Sequence, residues 1–381
     1  MSNLIFIKDN DNNVGIGSNM INDIKGNINI TQNLNVSGNL NINSTGYINL
    51  PIGTTSSRPS NPIPGTIRYN NQTHQFEGYC GYGTGKWVNL SPANSLYTFT
   101  THTFTNCGAL GRDGPTRSDA LSEYLPTWTD NIEYFNVVNG IQHWTVPFDG
   151  NYTIKAYGAD SVAREGGKGA IITGTFTLSG GEIIYILVGQ RPEPYNNSNG
   201  GGAGGTFVVR TPYNTNDSIL VIAGGGGTGH NGITPTDSRH GQAGSSGGDS
   251  TGGLGTPRAG GTNGSAGTTG YNSSTTYYNE GAGFYGAPST TNSAVSFTNS
   301  TNAGRGGLGN DNYEEGGFGG GGRDYSNVGA GGGGYSGGAG GGNTNPFQGG
   351  GGGSYNNGSN KSTLTGNTDG WVGQGKVEIT F

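Results

Sequence analysis

Between Gly26 and Leu50 the chain reads GNINITQNLNVSGNLNINSTGYINL, and its apolar positions keep a strict spacing. Ile28, Leu34 and Leu40 fall six residues apart, as do Ile30, Val36 and Ile42; Ile48 and Leu50 follow after a two-residue slip. Within each pair the residues are two apart, the period of a strand with one buried face, and turn-forming residues separate the pairs. A hexad of short strands and turns predicts a β-helical or β-stranded shaft. One chain cannot bury so narrow a stripe alone. The pattern therefore predicts either a homotrimeric stalk, trimerised through Ile28, Ile30, Leu34, Val36, Leu40 and Ile42, or a flat hairpin array packed on the next module.

Either side of this stretch the patterning changes. Residues 1–25 are mixed, with one strand expected over Leu4–Ile7 and a turn over Asp9–Asn13, and read as a terminal anchor. Residues 51–94 open with Pro59, Pro62 and Pro64, which bar a regular strand. Thr66–Asn70 and Gln75–Tyr79 then alternate around Asn-Gln-Thr-His, predicting a hairpin, and Lys86–Leu90 makes a third strand. From residue 95 on, strand-like apolar runs recur in Gly140–Asp160, Gly181–Gln190, Phe207–Arg210, Ile219–Ala223 and Trp371–Phe381. Between Gly200 and Gly358 the runs are of glycine instead.

Composition sharpens this picture. The 381 residues include 80 glycines, against a usual share of roughly 7%. Good helix formers are scarce, so long helices are not expected. The net charge is −6 and no Lys/Arg cluster exists, which removes the electrostatic footprint of a nucleic-acid or anionic-membrane partner. No apolar window approaches the ~18–20 residues of a membrane helix, so no membrane insertion is expected. Cys80 and Cys107 either bridge or remain two reduced thiols. The opening MSNLIFIKDNDNN lacks the basic and apolar regions of a secretory signal. Synthesis in a host cytoplasm and release as part of a particle is the expectation that fits.

Two stretches resemble known families. Ile52-Gly53, Arg58 to Pro62, Gly65, Ile67 to Asn70, Gln75 to Tyr79, Trp87 and Leu90 follow a shaft-like repeat in an order that resembles a cassette of phage and giant-virus fibre proteins. The segments TFTNCGALGRDGPT (Thr103 to Thr116), GIQHWTVPFDGNYTIKAYGAD (Gly140 to Asp160), GEIIYILVGQ (Gly181 to Gln190), GGGAGGTFVVR (Gly200 to Arg210), ILVIAGGGG (Ile219 to Gly227) and WVGQGKVEITF (Trp371 to Phe381) together resemble the glycine-rich extracellular domain of the anaplastic lymphoma kinase and leukocyte tyrosine kinase receptors. That resemblance implies an all-β head over 95–381: a TNF-like β-sandwich (95–223 and 371–381) with an inserted polyglycine-II helix bundle (about 200–358). The sequence departs from those receptors in having no membrane span or kinase, in lacking nearly all their cysteines, and in placing His143 where an apolar residue is expected before Trp144. Only the architecture carries over.

Physical chemistry gives the glycines the same role. A polyproline-II-type helix has three residues per turn, rises about 3.1 Å per residue and makes no internal hydrogen bonds. Its amides must find partners elsewhere. Glycine chains side by side approach closely enough to bond one another, and a Cβ at an inward position blocks that approach. Strands running straight into the glycine runs, as at Phe207–Arg210 and Ile219–Ala223, argue for order rather than a disordered tract. The spacers between runs are where contact residues belong. Tyr271, Tyr277, Tyr278, Phe284 and Tyr285 occupy one spacer, and Tyr313 and Tyr325 lie in others. Such aromatics either stack on sugars or peptides or cover the glycine bundle.

Signatures of catalysis fail on context. Gly334-Tyr335-Ser336-Gly337-Gly338 fits GxSxG, but the elbow needs a strand before it and a helix after it. Gly200, Gly202 and Gly205 fit GxGxxG with no helix expected to follow. His74, His102, His143, His230 and His240 show no metal spacing, although His230 and His240 near Asp237 and Asp249 are the nearest approach to one. Glu314-Glu315 reads as a solvated loop pair. Sequons at Asn29, Asn35, Asn43, Asn71 and Asn272 reflect an asparagine-rich composition.

The expectation is a non-enzymatic virion-surface fibre or spike without cofactor or metal. Its partners would be two copies of itself, other capsid proteins, and a host-surface glycan or protein met by the head. The alternatives are a minor capsid or cement protein with no receptor, and an extracellular signalling ligand or receptor ectodomain.

Overall fold

The computed structural model describes residues 7–8, 14–15, 48–73, 75–81, 85–90, 96–161, 166–193, 200–229, 236–251, 257–270, 278–290, 292–309, 315–324, 328–342, 348–367 and 369–381. The hexad positions Ile28, Ile30, Leu34, Val36, Leu40 and Ile42 lie outside them. The chain divides into two units, Met1–Trp87 and Val88–Phe381.

In the first unit β1 (Ile7–Lys8) pairs antiparallel with β2 (Val14–Gly15). A separate sheet runs β3 (Ile52–Gly53), β4 (Ile67–Asn70), β5 (Gln75–Cys80) and β6 (Lys86–Asn89), in that order. β3 and β4 are parallel, because the proline-rich segment crosses over between them, whereas β4 and β5 form an antiparallel hairpin. The fibre-like motif residues meet around Glu77, which is 4% exposed. Its carboxylate accepts from Arg58 Nε at 3.2 Å and Asn70 Nδ2 at 3.1 Å, and Arg68 lies at 3.4 Å. The Arg58 hydrogen bond holds the Glu77 carboxyl below the usual carboxylate range. Both guanidinium groups also face the Trp87 ring.

The second unit is an all-β sandwich with a glycine-rich layer. The front sheet has the order β16 (Ser359–Leu364), β11 (Ile171–Leu178), β10 (Gly150–Tyr157), β17 (Lys376–Thr380), β7 (Thr101–Phe104). The back sheet has the order β15 (Tyr355–Asn356), β14 (Ile219–Ala223), β13 (Thr206–Arg210), β12 (Ile183–Leu187), β9 (Ile141–Thr145), β8 (Phe135–Val138). Thus β15 and β16 extend the sandwich beyond the expected 95–223 and 371–381. β16 (SNKSTL) is exposed throughout, so no apolar alternation marked it. The one α-helix among the described residues, α1 (Arg117–Glu123), is short and starts on a Thr116/Asp119 capping box.

Alternate residues of the facing strands build the inner core: Tyr152, Ile154 and Ala156 of β10, Ile172 of β11, Val377 and Ile379 of β17, Trp144 of β9, Ile184 and Ile186 of β12. Each fully buried aliphatic among them contributes roughly 1.5–3 kcal/mol of burial free energy. The opposite face of the back sheet is not solvent-exposed. Ile141, Leu187, Phe207, Val209, Ile219 and Ile222 form a second core with Phe284, Phe297, Phe318 and Tyr335 from the glycine-rich region.

That region holds extended segments with neither helical nor strand pairing of their own. Their amides donate to other segments: Gly202 N to Gly322 O at 2.7 Å, Gly225 N to Gly333 O at 2.9 Å, Gly332 N to Gly350 O at 2.8 Å, and Gly352 N to Gly225 O at 2.8 Å. A Cβ on Gly226 would lie 1.8 Å from the Gly167 carbonyl oxygen, closer than any real contact. Lateral bonding with no room for side chains is the packing expected of polyglycine II.

The register gives the sandwich two poles. Thr101 pairs with Thr380, and Phe381 N donates to Thr100 O, so the first and last strands of the sandwich meet at one pole. Leu96 N donates to Pro147 O at the same pole. At the opposite pole β10, β12 and β14 run out into Gly158, Gly189 and Gly224, all bonded or packed to glycine segments.

Candidate recognition site

At the glycine pole the opening motif of the second unit, GALGRDGPT, threads between sandwich and glycine region. Gly111 N donates to Arg191 O, and Phe318 N donates to Gly111 O. Gly306 N donates to Arg112 O, and Arg112 Nε returns a bond to Gly306 O at 3.2 Å. The Gln190 carboxamide, turned to donate, reaches Gly111 O at 3.2 Å and Asp113 O at 3.1 Å. Behind the motif, Tyr124 Oη donates to Gln142 Oε1 at 2.7 Å and Gln142 Nε2 donates to Thr105 O at 2.8 Å, a buried network that fixes where the motif starts.

The motif forms one wall of a cleft of about 480 Å³. Asp113, Thr116 and Arg117 line this wall; Asn139 and Gly140 line a second; Thr301, Asn302 and Arg305 line a third, with Phe318 among the lining residues. Asn139 and Gly140 are the two central residues of the β8–β9 hairpin, with φ of 49° and 79°, as a type I′ turn requires. A Cβ on Gly140 would lie 2.6 Å from Gly114 Cα and 2.8 Å from the Phe318 ring, so two glycines back the cleft and hold it open.

Electrostatically the cleft is mixed. Arg305 grips Asp113 through Nε and Nη2, the latter at 2.9 Å, and this bond raises its pKa. Burial pushes Glu315 up, and Asp113 and Glu193 nearby add to the effect. The expected solvated pair is thus corrected at Glu315, which is half-buried; Glu314 lies outside the described residues. Burial lowers the Arg112 pKa, with Arg305 as a second cause. Arg117 Nη2 donates to Asp130 O at 2.9 Å, whereas its Nε is enclosed with no acceptor.

The aromatic residues expected to make contacts are not gathered here. Tyr271, Tyr277, Tyr313 and Tyr325 lie outside the described residues. Tyr278 is half-buried, at φ 48°. Tyr285 is exposed and its Oη donates to Asn216 Oδ1 at 3.0 Å. Phe284 corrects the expectation: it is fully buried, its ring stacked with Phe207 and Phe297. Its ring packs on Phe207 of β13, while the adjacent Tyr285 points outward. A row the sequence reading missed, His143, Tyr185 and Tyr213, is half-buried on the outer face of the back sheet, with centroids 4.3 and 5.3 Å apart. Only strand alternation around His143 could have flagged it.

Tyr335 and Ser336 sit in a bend between glycine segments, with no strand before it and no helix after it, and Ser336 Oγ accepts from Gly264 N at 3.1 Å. Gly200–Gly205 leads into β13, not a helix. His240 Nδ1 accepts from Lys168 N at 3.0 Å, and burial lowers its pKa. His230 lies outside the described residues, among which no cluster of metal-ligating side chains occurs and no helix is long and apolar enough to cross a membrane. Cys80 is exposed and Cys107 buried, both free.

No family model matches the chain. Over 116 residues it is 37% identical to the leukocyte tyrosine kinase receptor of Mus musculus, covering 27% of this chain and 12% of that receptor. The chain is distantly related to that receptor family. The shared stretch is a small part of the receptor, so the receptor's activity stays with the receptor.

Proposed function

We propose that the protein is a non-enzymatic spike or fibre subunit of a virion surface, which presents its glycine-rich head to a host-surface glycan or protein. The observation that carries this reading is the polarity of the head. The first and last strands of its sandwich pair with Thr101 beside Thr380 at one pole, while the opening motif, the cleft and the glycine segments occupy the other. A module carried at one end and offering a rigid, loop-bearing surface at the other suits attachment. The fibre-type residues around Glu77 and the hexad between Gly26 and Leu50 fit a carrier, and a trimer would convert weak single-site binding into avidity.

Light scattering on the full-length protein tests the carrier. A trimer that becomes a monomer in a Leu34→Asn/Leu40→Asn variant supports the stalk; a monomer throughout removes it. Binding of the full chain to arrays of host-surface glycans and membrane proteins tests recognition. Silence across both favours a cement or minor capsid role with no receptor. The identity to a stretch of a tyrosine kinase receptor favours a second reading, an extracellular signalling ligand or ectodomain. A monomer that binds a secreted protein and no cell-surface component would support it.

A further inference from the structure

We propose that the cleft between Asp113–Arg117, the Asn139–Gly140 turn and Thr301–Arg305 binds an acidic saccharide, with Arg117 taking its carboxylate. This rests on the recognition reading above and names the ligand class of that head. The cleft's size, about 480 Å³, lies within the roughly 300–1,000 Å³ typical of small-molecule sites.

Its lining selects the chemistry. Thr116, Asn139, Thr301 and Asn302 present hydroxyls and carboxamides, groups that both donate and accept. A sugar hydroxyl does the same, so each can meet a ring hydroxyl in either sense. Val137, Ala303 and Phe318 add an apolar strip for the C–H face of a pyranose.

The charges narrow the class further. Asp113 is engaged by Arg305 through two nitrogens, so this pair neutralises itself. Arg117 spends one nitrogen on the Asp130 carbonyl, a neutral acceptor, and its Nε is enclosed without a partner. Among the described residues lining the cleft, Arg117 is thus the guanidinium that pairs with no carboxylate, and its planar fork matches one. A doubly charged phosphate fits less well, because Asp113 stands on the same wall and no second unpaired cation lines the cleft among the described residues. A neutral sugar leaves the Arg117 charge unmet.

The walls are preset. The Thr116–Asp119 capping box fixes the backbone at Arg117, the two-residue turn fixes Asn139, and Gly114 packs against Gly140.

The test uses the full-length chain with 3′-sialyllactose, a glucuronate-terminated disaccharide and lactose as probes, read by calorimetry and on a glycan array. Acidic probes are expected to bind, with lactose at least tenfold weaker. Arg117→Ala should abolish acidic binding at least tenfold, and Arg117→Lys should restore part of it. Asn302→Asp, at an exposed position that leaves folding intact, should weaken acidic probes and spare lactose. Tyr285→Ala, away from the cleft, should change nothing. Acidic binding unaffected by the Arg117 and Asn302 variants overturns the cleft assignment and leaves recognition standing, as does binding to neutral glycans or proteins alone. No binding to any glycan or host-surface protein overturns both.

Discussion

The sandwich and the glycine region of the second unit have interiors made of different material. Between the sheets the interior is side chain: Trp144, Tyr152, Ile154 and Ile186 fill the space, and backbone amides are paired along strands at the periphery. In the glycine region the interior is the backbone itself. Amides cross from segment to segment, and carbonyl oxygens occupy the volume a Cβ would need. A dry interior therefore does not require apolar side chains, provided each buried amide finds a carbonyl. What differs is tolerance. A side-chain core accepts a similar volume in another shape. A backbone core accepts no added atom.

The first way to break this comparison is to remove the largest sandwich side chain. Trp144→Ala is expected to cost about 3–5 kcal/mol and to lower both regions together in denaturant unfolding, since the glycine segments lean on the back sheet. Gly226→Val should cost about 3 kcal/mol despite adding only three carbons, because its Cβ meets the Gly167 carbonyl at 1.8 Å. Hydrogen exchange should place that loss in the glycine amides first. An unchanged exchange pattern would show that the region is not packed as described.

A pH titration separates the regions by chemistry. His102 is boxed edge-on by Phe104, Tyr124 and Trp128, its Nε2 has no partner, and burial pushes its pKa down to about 4. Unfolded, it titrates near 6.5. Between these values the unfolded chain binds a proton the folded one refuses, so stability falls as pH drops from 6.5 toward 4 and is flat above. The loss reaches about 3 kcal/mol. His102→Phe should make the profile shallower between those limits in urea melts run at successive pH values, leaving the part contributed by His143 and His240, whose pKa values burial also lowers.

The smallest effects sharpen the contrast. Tyr285→Phe removes one bond to Asn216 and should cost no more than about 1 kcal/mol in thermal unfolding. Gly244→Ala should stay within about 0.5 kcal/mol, since nothing lies within 4 Å of its added Cβ. A large loss at Gly244 would mean that glycine is needed for freedom rather than for approach.

Much of the fold was legible. Strand-like apolar runs within Gly140–Asp160 and Trp371–Phe381 hold β10 and β17, and the glycine runs announced close backbone packing. The edge strand β16 was not legible, because an exposed edge has no buried face to pattern. Phe284 was left open between contact and cover, because an aromatic beside a glycine run has the same sequence signature whether it points in or out. The cleft was half legible. GRDGPT and Asn139-Gly140 each mark turns, but nothing in either says that they face Arg305, almost 200 positions on.

Strand alternation, turn chemistry and the demand of glycine runs for one another are local, and the amino-acid order alone determined them. Which strands neighbour which, that the first and last strands of the sandwich pair, that the back sheet is covered on both faces, and that Arg117 pairs with no carboxylate among the described residues are results of long-range pairing. They depend on where segments far apart in the chain come to rest, and only the tertiary structure decided them.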